Sequence, residues 1–273
     1  MADIEDFARV GTEAAREAGR LLLQKLQTGF TVSRKGIVNL VTEADIAAEQ
    51  LIVSRIREAF PTHLILAEEN HSEASGTGFK WIIDPLDGTT NYAHGYPVFS
   101  VSIGLEVEGE LQWGAVFDPT RNELFSARRG AGAFCNDVSV HVSKTESLIA
   151  SLLATGFPYD VQTSRQNNLN HYCAFAVRCQ GVRRGGSAAL DLCNVASGRL
   201  DGFWELKLNP WDCAAGYLIV REAGGIVTDF RDRPSSIYGG EVVASNGLIH
   251  REMLEVLQLA AATPPNRDTS VVT

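Results

Sequence analysis

Two stretches near the start of the chain have the apolar spacing of amphipathic helices. Apolar residues recur every three or four positions from Ile4 to about Gln27, which predicts the first helix. A second helix is predicted from Thr42 to Phe60, because Thr42 can cap it, Asp45 lies in its first turns and Pro61 ends it. Each helix would turn one apolar face towards a core.

The next apolar segments are short and end in acidic residues. Residues 64–67 and 80–83 are largely apolar and of strand length, a pattern typical of buried strands. Glu68 and Glu69 follow the first segment, and Asp84 follows the second. The pattern therefore predicts that two strands carry carboxylates at or just past their ends.

The middle of the chain has the pattern of an antiparallel meander. Apolar and polar residues alternate over 98–107, 111–118 and 123–127, and short turn sequences separate the three segments. Three consecutive strands joined by tight turns are expected to pair with their neighbours along the chain.

From about Ile149 the pattern changes to alternating strands and helices. The predicted elements are strands over 150–154, 181–184, 202–205 and 226–229, and helices over 162–179, 187–196 and 211–223. We therefore predict an α/β protein, with an α+β half over 1–146 and an α/β half over 147–262 that share an extensive interface. Residues 263–273 contain two prolines and mainly polar side chains, which predicts a disordered tail.

Charge and composition disfavour several classes of protein. The chain has 24 Lys and Arg against 33 Asp and Glu, a net charge of −9, whereas a general nucleic-acid binder needs a basic face. No stretch of about 20 mostly apolar residues predicts a membrane span, and the acidic N-terminus is unlike a signal peptide. Five cysteines without a Cys-x-x-Cys pair are typical of reduced thiols, which predicts a cytoplasmic protein.

The densest chemical signal is the sequence D-P-L-D-G-T-T-N at 84–91, directly after the second apolar segment. Pro85 bends the chain, and Gly88 permits a tight turn before two hydroxyl side chains. Such a turn can direct Asp84 and Asp87 at one point, and clustered oxygen ligands suit Mg²⁺. Taken alone, the same sequence is equally consistent with two aspartates that only stabilise a turn.

Acidic residues elsewhere strengthen the metal interpretation. Glu68 follows a strand, Asp45 opens a helix, and Asp212 stands at the start of another predicted helix. Two carboxylates about 5 Å apart repel each other by about 3 kcal/mol at an effective dielectric of about 20. Four carboxylates gathered in one place therefore need cations, and two Mg²⁺ ions would balance their charge.

Several segments in a fixed order resemble the inositol monophosphatase family. The sequence W-I-I-D-P-L-D-G-T-T-N at 81–91 is similar to its first signature, and residues 211–225 are similar to its second. Further similar segments are residues 39–45, 67–69, 128–134 and 184–189, so that the resemblance covers about residues 5–260. It implies a layered αβαβα sandwich, two to three Mg²⁺ ions per active site, inhibition by lithium and a homodimer.

The resemblance also implies roles for individual residues. The metal ligands would be Glu68, Asp84, the carbonyl of Leu86, Asp87 and Asp212, with Asp84 shared between two ions. The catalytic group would comprise Glu68 and the pair formed by Thr89 and Asp45, which orients the attacking water. The substrate contacts would come from Asp87, Gly88, Thr89, Gly186, Ser187, Ala188, Glu205 and Asp212.

The implied reaction is Mg²⁺-dependent hydrolysis of a small phosphorylated polyol or sugar by activated water, without a covalent intermediate. Inositol monophosphate is the expected substrate. Fructose bisphosphate, histidinol phosphate and phosphoadenosine phosphate remain alternatives, because the same metal core serves all of them. A non-catalytic regulator that binds RNA or the transcription machinery is the alternative from another class.

Three features depart from the family pattern or stay open. Asn39 stands where the family often has Asp, and Lys35 is left out of the catalytic set because a neighbouring Arg makes the match ambiguous. Arg183 and Arg184 are consistent with a dimer contact, a substrate contact or a partner contact.

Overall fold

The computed structural model describes residues 4–34, 40–69 and 78–262. Both predicted N-terminal helices are confirmed, as α1 (Ile4–Thr28) and α2 (Glu43–Ala59). Thr42 caps α2 by accepting hydrogen bonds from the amides of Ala44 and Asp45, and the Asp45 carboxylate accepts from the Thr42 amide in return. Strands β1 (Val32–Arg34) and β2 (Leu40–Thr42) pair antiparallel just before this cap.

A seven-stranded sheet contains the predicted meander. Its strands are adjacent in chain order from β3 to β9, with β3 and β4 parallel and every later pair antiparallel. They are β3 (Leu64–Ala67), β4 (Phe79–Asp87), β5 (Ser100–Val107), β6 (Glu110–Asp118), β7 (Glu123–Arg128), β8 (Gly132–Cys135) and β9 (Val138–Ser139). The last two strands were not predicted, because they are too short for alternation to stand out.

A five-stranded mixed sheet follows in the second half. Strands β10 (Leu152–Thr155), β11 (Gly181–Arg183) and β12 (Gly202–Leu206) are parallel, and β14 (Glu241–Ser245) pairs antiparallel with β12 and with β13 (Ile226–Thr228). Its strand order is β11-β10-β12-β14-β13. The helices of the chain after β4 are α3 (Thr89–Ala93), α4 (Leu169–Ala176), α5 (Ala188–Ala196), α6 (Pro210–Glu222) and α7 (His250–Ala262).

One helix prediction is wrong in its extent. The sequence pattern predicts a helix over 162–179, but α4 begins only at Leu169. Asn168 before it has a left-handed backbone, with φ +70, and its buried side chain bonds the Gly156 carbonyl. Residues 162–168 form turns, bends and irregular backbone instead. No prediction was made for β14 or α7, which complete the second sheet and cover it.

The elements stack in five layers, which confirms the αβαβα fold. Helices α1 and α2 cover one face of the large sheet, α5 and α6 lie between the two sheets, and α4 and α7 cover the outer face of the small sheet. Side chains of both sheets meet in one apolar cluster around α5 and α6, which includes Val116, Leu192 and Val242. Because this cluster joins the two halves, the predicted domain boundary at residue 146 stays a prediction.

Three further predictions concern residues outside the described ranges: Lys35, Asn39 and the tail at 263–273. Among the described residues, no helix is both long and apolar enough to cross a membrane.

Candidate active site

Two neighbouring parallel strands bring Glu68 and Asp84 to the same sheet edge. Ala67 pairs with Ile83, so that each strand reaches its acidic residue at the same level. The Glu68 amide then donates to the Ile83 carbonyl at 3.3 Å. Because parallel strands end on one side of a sheet, the strand-end acids predicted from sequence become neighbours.

A bulge in β4 turns Asp87 towards the same place. Asp84 pairs with Ser102 and Asp87 with Ser100, so the register shifts between the two aspartates. The Asp84 carboxylate stabilises the irregular segment by accepting from the Leu86 amide at 3.0 Å.

Gly88 follows the bulge with φ +99, a left-handed conformation that favours glycine. A Cβ atom built there would lie 2.9 Å from the carbonyl oxygen of Val98 and 3.2 Å from that of Gly186. Glycine is therefore required both by the turn and by the close approach of residue 186, which the sequence assigned to the substrate side.

The start of α5 is tied directly to Asp87. One Asp87 carboxylate oxygen accepts from the Ser187 hydroxyl at 2.6 Å and from the Ala189 amide at 2.8 Å. Ser187 also caps α5 by accepting from the Leu190 amide. These bonds fix the small-residue segment at 186–188 against the D-P-L-D-G turn, 100 residues earlier in the chain.

Asp212 reaches the site from the first turn of α6. Its carboxylate accepts from the Asn209 amide at 2.6 Å, and Pro210 provides a helix start that needs no amide donor. The side chain is thereby held at the cavity wall, while α6 packs against the large sheet behind it.

One cavity of about 320 Å³ collects these side chains. Every predicted site residue except Asp45 lines it, namely Glu68, Asp84, Leu86, Asp87, Gly88, Thr89, Gly186, Ser187, Ala188, Glu205 and Asp212. Asp45 is fully buried behind the wall, and its carboxylate accepts from the Thr89 hydroxyl at 3.0 Å. The structure therefore brings the whole predicted set together.

Burial is the main cause of the raised pKa values among the acidic residues of the cavity. Burial raises the pKa of Asp84 well above its usual range, and the negative charges of Glu68, Asp87 and Asp212 raise it further. Burial, with the charge of Asp87 next, raises the pKa of Asp212 to about 8. Burial raises the pKa of Asp87 only to about 6, since hydrogen bonds from Ser187 and Ala189 oppose it. The cavity therefore favours protons or cations.

The donor set fits a hard divalent cation. Four carboxylates and the Leu86 carbonyl are all oxygen ligands, and Mg²⁺ needs few protein ligands because it keeps several waters. Across residues 4–34, 40–69 and 78–262, no three His, Cys, Asp or Glu side chains are arranged so that they could hold a metal ion by themselves. The four carboxylates nevertheless line one shared cavity.

Twelve lining residues were not predicted as site residues, and five of these have a titratable side chain: Tyr159, Asp160, Arg184, Asp191 and Lys207. Only Arg184 carried a signal, as one of the two arginines with an open role. Tyr159 and Asp160 lie in a turn that no local pattern connects with the acidic cluster, and a single Lys after a strand is unremarkable. Tertiary structure alone places them at the cavity.

Comparison with known proteins agrees with this geometry. The family model "Inositol monophosphatase family" matches residues 3–262. The chain is 46% identical over 264 residues to an inositol-1-monophosphatase of Synechocystis sp., covering 96% of this chain and 91% of that protein. It is 44% identical over 249 residues to the Escherichia coli protein named Nus factor SuhB, covering 90% and 93%.

Solved structures show the same fold. The inositol monophosphatase of Anabaena (Nostoc) sp. PCC 7120 superposes with a TM-score of 0.87 at 43% identity, covering 97% of this chain and 99% of that one. The Thermotoga maritima IMPase gives a TM-score of 0.86 at 37% identity, covering 94% and 98%. With its five layers and its gathered carboxylates, the chain belongs to the inositol monophosphatase family.

Proposed function

We propose that this protein is a Mg²⁺-dependent phosphatase that hydrolyses inositol monophosphate to inositol and phosphate. The observation that carries the proposal is the convergence of Glu68, Asp84, Asp87 and Asp212 from separate elements on one cavity, with raised pKa values for the three aspartates. The name of the Synechocystis relative supports inositol monophosphate as the substrate.

Each acidic residue has a role in holding metal. Glu68, Asp84 and the Leu86 carbonyl would hold one ion, and Asp84, Asp87 and Asp212 would hold a second. A third, weaker ion would lie near Glu68. Bound Mg²⁺ supplies a more acidic water and neutralises charge on the phosphate.

The pair formed by Thr89 and Asp45 orients the attacking water. The Thr89 hydroxyl donates its hydrogen to Asp45, 3.0 Å away, which leaves its oxygen lone pairs to accept a hydrogen bond from water. Burial keeps the Asp45 carboxylate away from solvent, so that the pair stays in one arrangement. Glu68 assists from the end of the neighbouring strand β3.

Binding of the substrate divides between two sides of the cavity. The amides of Gly88 and Thr89 hold the phosphate oxygens, and residues 186–188 with Glu205 contact the polyol. Asp87 and Asp212 would contact the substrate as well as the metal. Hydrolysis then depends mainly on positioning and on charge neutralisation, without a covalent phosphoenzyme.

A phosphate-release screen tests the proposal. Inositol 1-phosphate, fructose 1,6-bisphosphate, histidinol phosphate and phosphoadenosine phosphate are compared with and without Mg²⁺. We expect Mg²⁺-dependent release, fastest from inositol 1-phosphate and inhibited by Li⁺. Faster hydrolysis of another ester would reassign the substrate, and no release from any ester with Mg²⁺ present would refute the phosphatase.

The names of several relatives support a second candidate function. Four bacterial species among the similar proteins contribute a protein named Nus factor SuhB, at 43–44% identity. This second function would be binding to the transcription machinery. Arg183 or Arg184 would provide the contact, and the binding would not require phosphatase turnover. A homodimer is proposed in either case and is tested by sedimentation.

The substitution Asp87→Asn separates the two functions. Loss of one ligand charge should lower turnover by more than about 100-fold, while binding of a transcription partner persists. Asp232→Asn is the matched control, because this aspartate is exposed and lies outside the cavity lining. If Asp87→Asn retained full turnover, Asp87 would not be a metal ligand.

A further inference from the structure

A turn at residues 156–160 forms a wall of the catalytic cavity and has no role in the proposed chemistry. Gly156, Phe157, Pro158, Tyr159 and Asp160 all line the cavity. The Val161 amide donates to the Pro158 carbonyl at 3.0 Å, so Tyr159 is a central residue of a tight turn. We call residues 156–164 the cavity loop.

The first end of the cavity loop is fixed against Glu205. A Cβ atom built on Gly156 would lie 2.1 Å from a Glu205 carboxylate oxygen, so only glycine lets the loop pass this close. The buried Asn168 side chain donates to the Gly156 carbonyl at 2.6 Å and accepts from the Trp204 indole at 2.9 Å. The loop therefore starts on the polyol side of the cavity.

The other end of the cavity loop is held by Lys207. Its ammonium group lies 2.6 Å from the Asp160 carboxylate and donates to the Ser164 hydroxyl at 2.8 Å. Lys207 has φ +60, an uncommon conformation for a lysine. Such a conformation persists where the surrounding contacts determine it. Tyr159 thus lies between two anchored points.

The phenol of Tyr159 is a hydrogen-bond donor facing the cavity. The residue is 56% exposed in total. Burial of the phenol nevertheless raises its pKa, and the charges of Glu68 and Asp212 raise it further. The hydroxyl therefore stays protonated in any ordinary assay. Within the part of the chain that the structure describes, the hydroxyl makes no hydrogen bond and lines the cavity, so it is available to a ligand.

We propose that Tyr159 is a specificity-determining residue, whose hydroxyl donates a hydrogen bond to a hydroxyl oxygen of the polyol beside the phosphate ester. The inference rests on the proposed phosphatase function. The loop lies against Glu205 on the polyol side, and its tyrosine reaches towards the acidic cluster that receives the ester. The bridge between Lys207 and Asp160 is a positioning contact that keeps the tyrosine in place.

The direct test compares Tyr159→Phe with wild type on two substrates. Inositol 1-phosphate offers hydroxyls to the phenol, and p-nitrophenyl phosphate offers none. One lost hydrogen bond should raise KM for inositol 1-phosphate by about 3- to 10-fold with kcat little changed, and leave both constants for p-nitrophenyl phosphate unchanged. Tyr96→Phe is the matched control, because Tyr96 is 54% exposed and lies outside the cavity lining.

The positioning role is tested with Asp160→Asn. This change removes the charge that holds Lys207, so it should raise KM for inositol 1-phosphate alone. The double variant Tyr159→Phe with Asp160→Asn should be no worse than Tyr159→Phe, because both changes remove one interaction. If the contact between Lys207 and Asp160 were merely structural, Asp160→Asn would lower the melting temperature and affect both substrates equally. That result would overturn the positioning role of the contact.

An unchanged KM for inositol 1-phosphate in Tyr159→Phe, in an enzyme that does hydrolyse this ester, would overturn the role of Tyr159 and leave the phosphatase standing. A wild-type protein that releases phosphate from neither ester would overturn both proposals. The two failures are therefore distinguishable in one set of measurements.

Discussion

Thr89 shows how one hydroxyl is constrained by its neighbours. It lies 3.0 Å from the Asp45 carboxylate and 3.1 Å from the Leu86 carbonyl, and its single hydrogen serves one acceptor at a time. Both acceptors are buried, and Thr89 itself lines the cavity as the first residue of its short helix. Its oxygen remains able to accept from a ligand.

Replacing Thr89 by Val should separate this role from packing. Valine has a similar shape but no hydroxyl, so kcat should fall by about 100-fold or more, with a small change in melting temperature. Thr89→Ser is the control, since it keeps the hydroxyl, and should retain most of the activity. Steady-state phosphate release measures both variants, and equal activity of the Val and Ser variants would contradict the role of the hydroxyl.

At the scale of elements, the close packing of α6 on β6 positions a site residue. Gly114 in β6 faces the helix backbone, and a Cβ atom built on it would lie 2.8 Å from the Cα atom of Ala215. Backbone cannot move aside as a flexible side chain can. Since α6 begins only five residues before Ala215 on the cavity side, with Asp212 in its first turn, any displacement of the helix reaches the site.

Gly114→Ala should therefore destabilise the protein by about 1–3 kcal/mol through overpacking, and should also weaken Mg²⁺ binding. Gly109→Ala is the control, because Gly109 has φ +84 with nothing near its missing side chain. That change should cost about 1 kcal/mol of backbone strain and leave Mg²⁺ binding intact. Urea unfolding measures stability, and melting temperature against Mg²⁺ concentration measures binding. Unchanged Mg²⁺ binding in Gly114→Ala would contradict the claim that the packing of α6 on β6 positions the site.

At the scale of the whole molecule, the buried acids make the free energy of unfolding depend on pH, because their ionised forms are unfavourable in the folded state. The pKa of Asp212 is raised to about 8 and that of Glu205 to about 8, in both cases first by burial. The folded protein therefore holds protons that the unfolded chain releases. Because these groups bind protons more tightly when folded, their contribution to stability is complete below about pH 4 and is lost as the pH rises through about 8.

The metal-free protein should consequently lose thermal stability as the pH rises from about 5 to about 9. Mg²⁺ replaces the protons, so it should raise the melting temperature, and by more at the alkaline end. Melting curves in chelator and in Mg²⁺ across this range measure the effect, with Asp212→Asn flattening the metal-free dependence. A metal-free melting temperature that rose with pH would contradict this account of the cluster.

Local sequence was sufficient for most elements and for the acidic site. The spacing of apolar residues predicted α1, α2, the meander and α6, because burial of one face imposes a regular period. Strand-end positions predicted that Glu68 and Asp84 are functional, and the D-P-L-D-G turn added Asp87 and Gly88. These signals are local, since each lies within a few residues of chain.

Tertiary structure alone decided the rest. The start of α4 depends on Asn168 bonding Gly156, and β14 depends on pairing with strands that lie earlier in the chain. Tyr159 acquires its place in the cavity through Lys207, which binds Asp160 from 47 residues away. Such contacts join distant segments, and no local period or turn signal encodes them. The sequence by itself determined which carboxylates end the strands and turns that meet at the cavity, and the packing of five layers decided which further side chains line it.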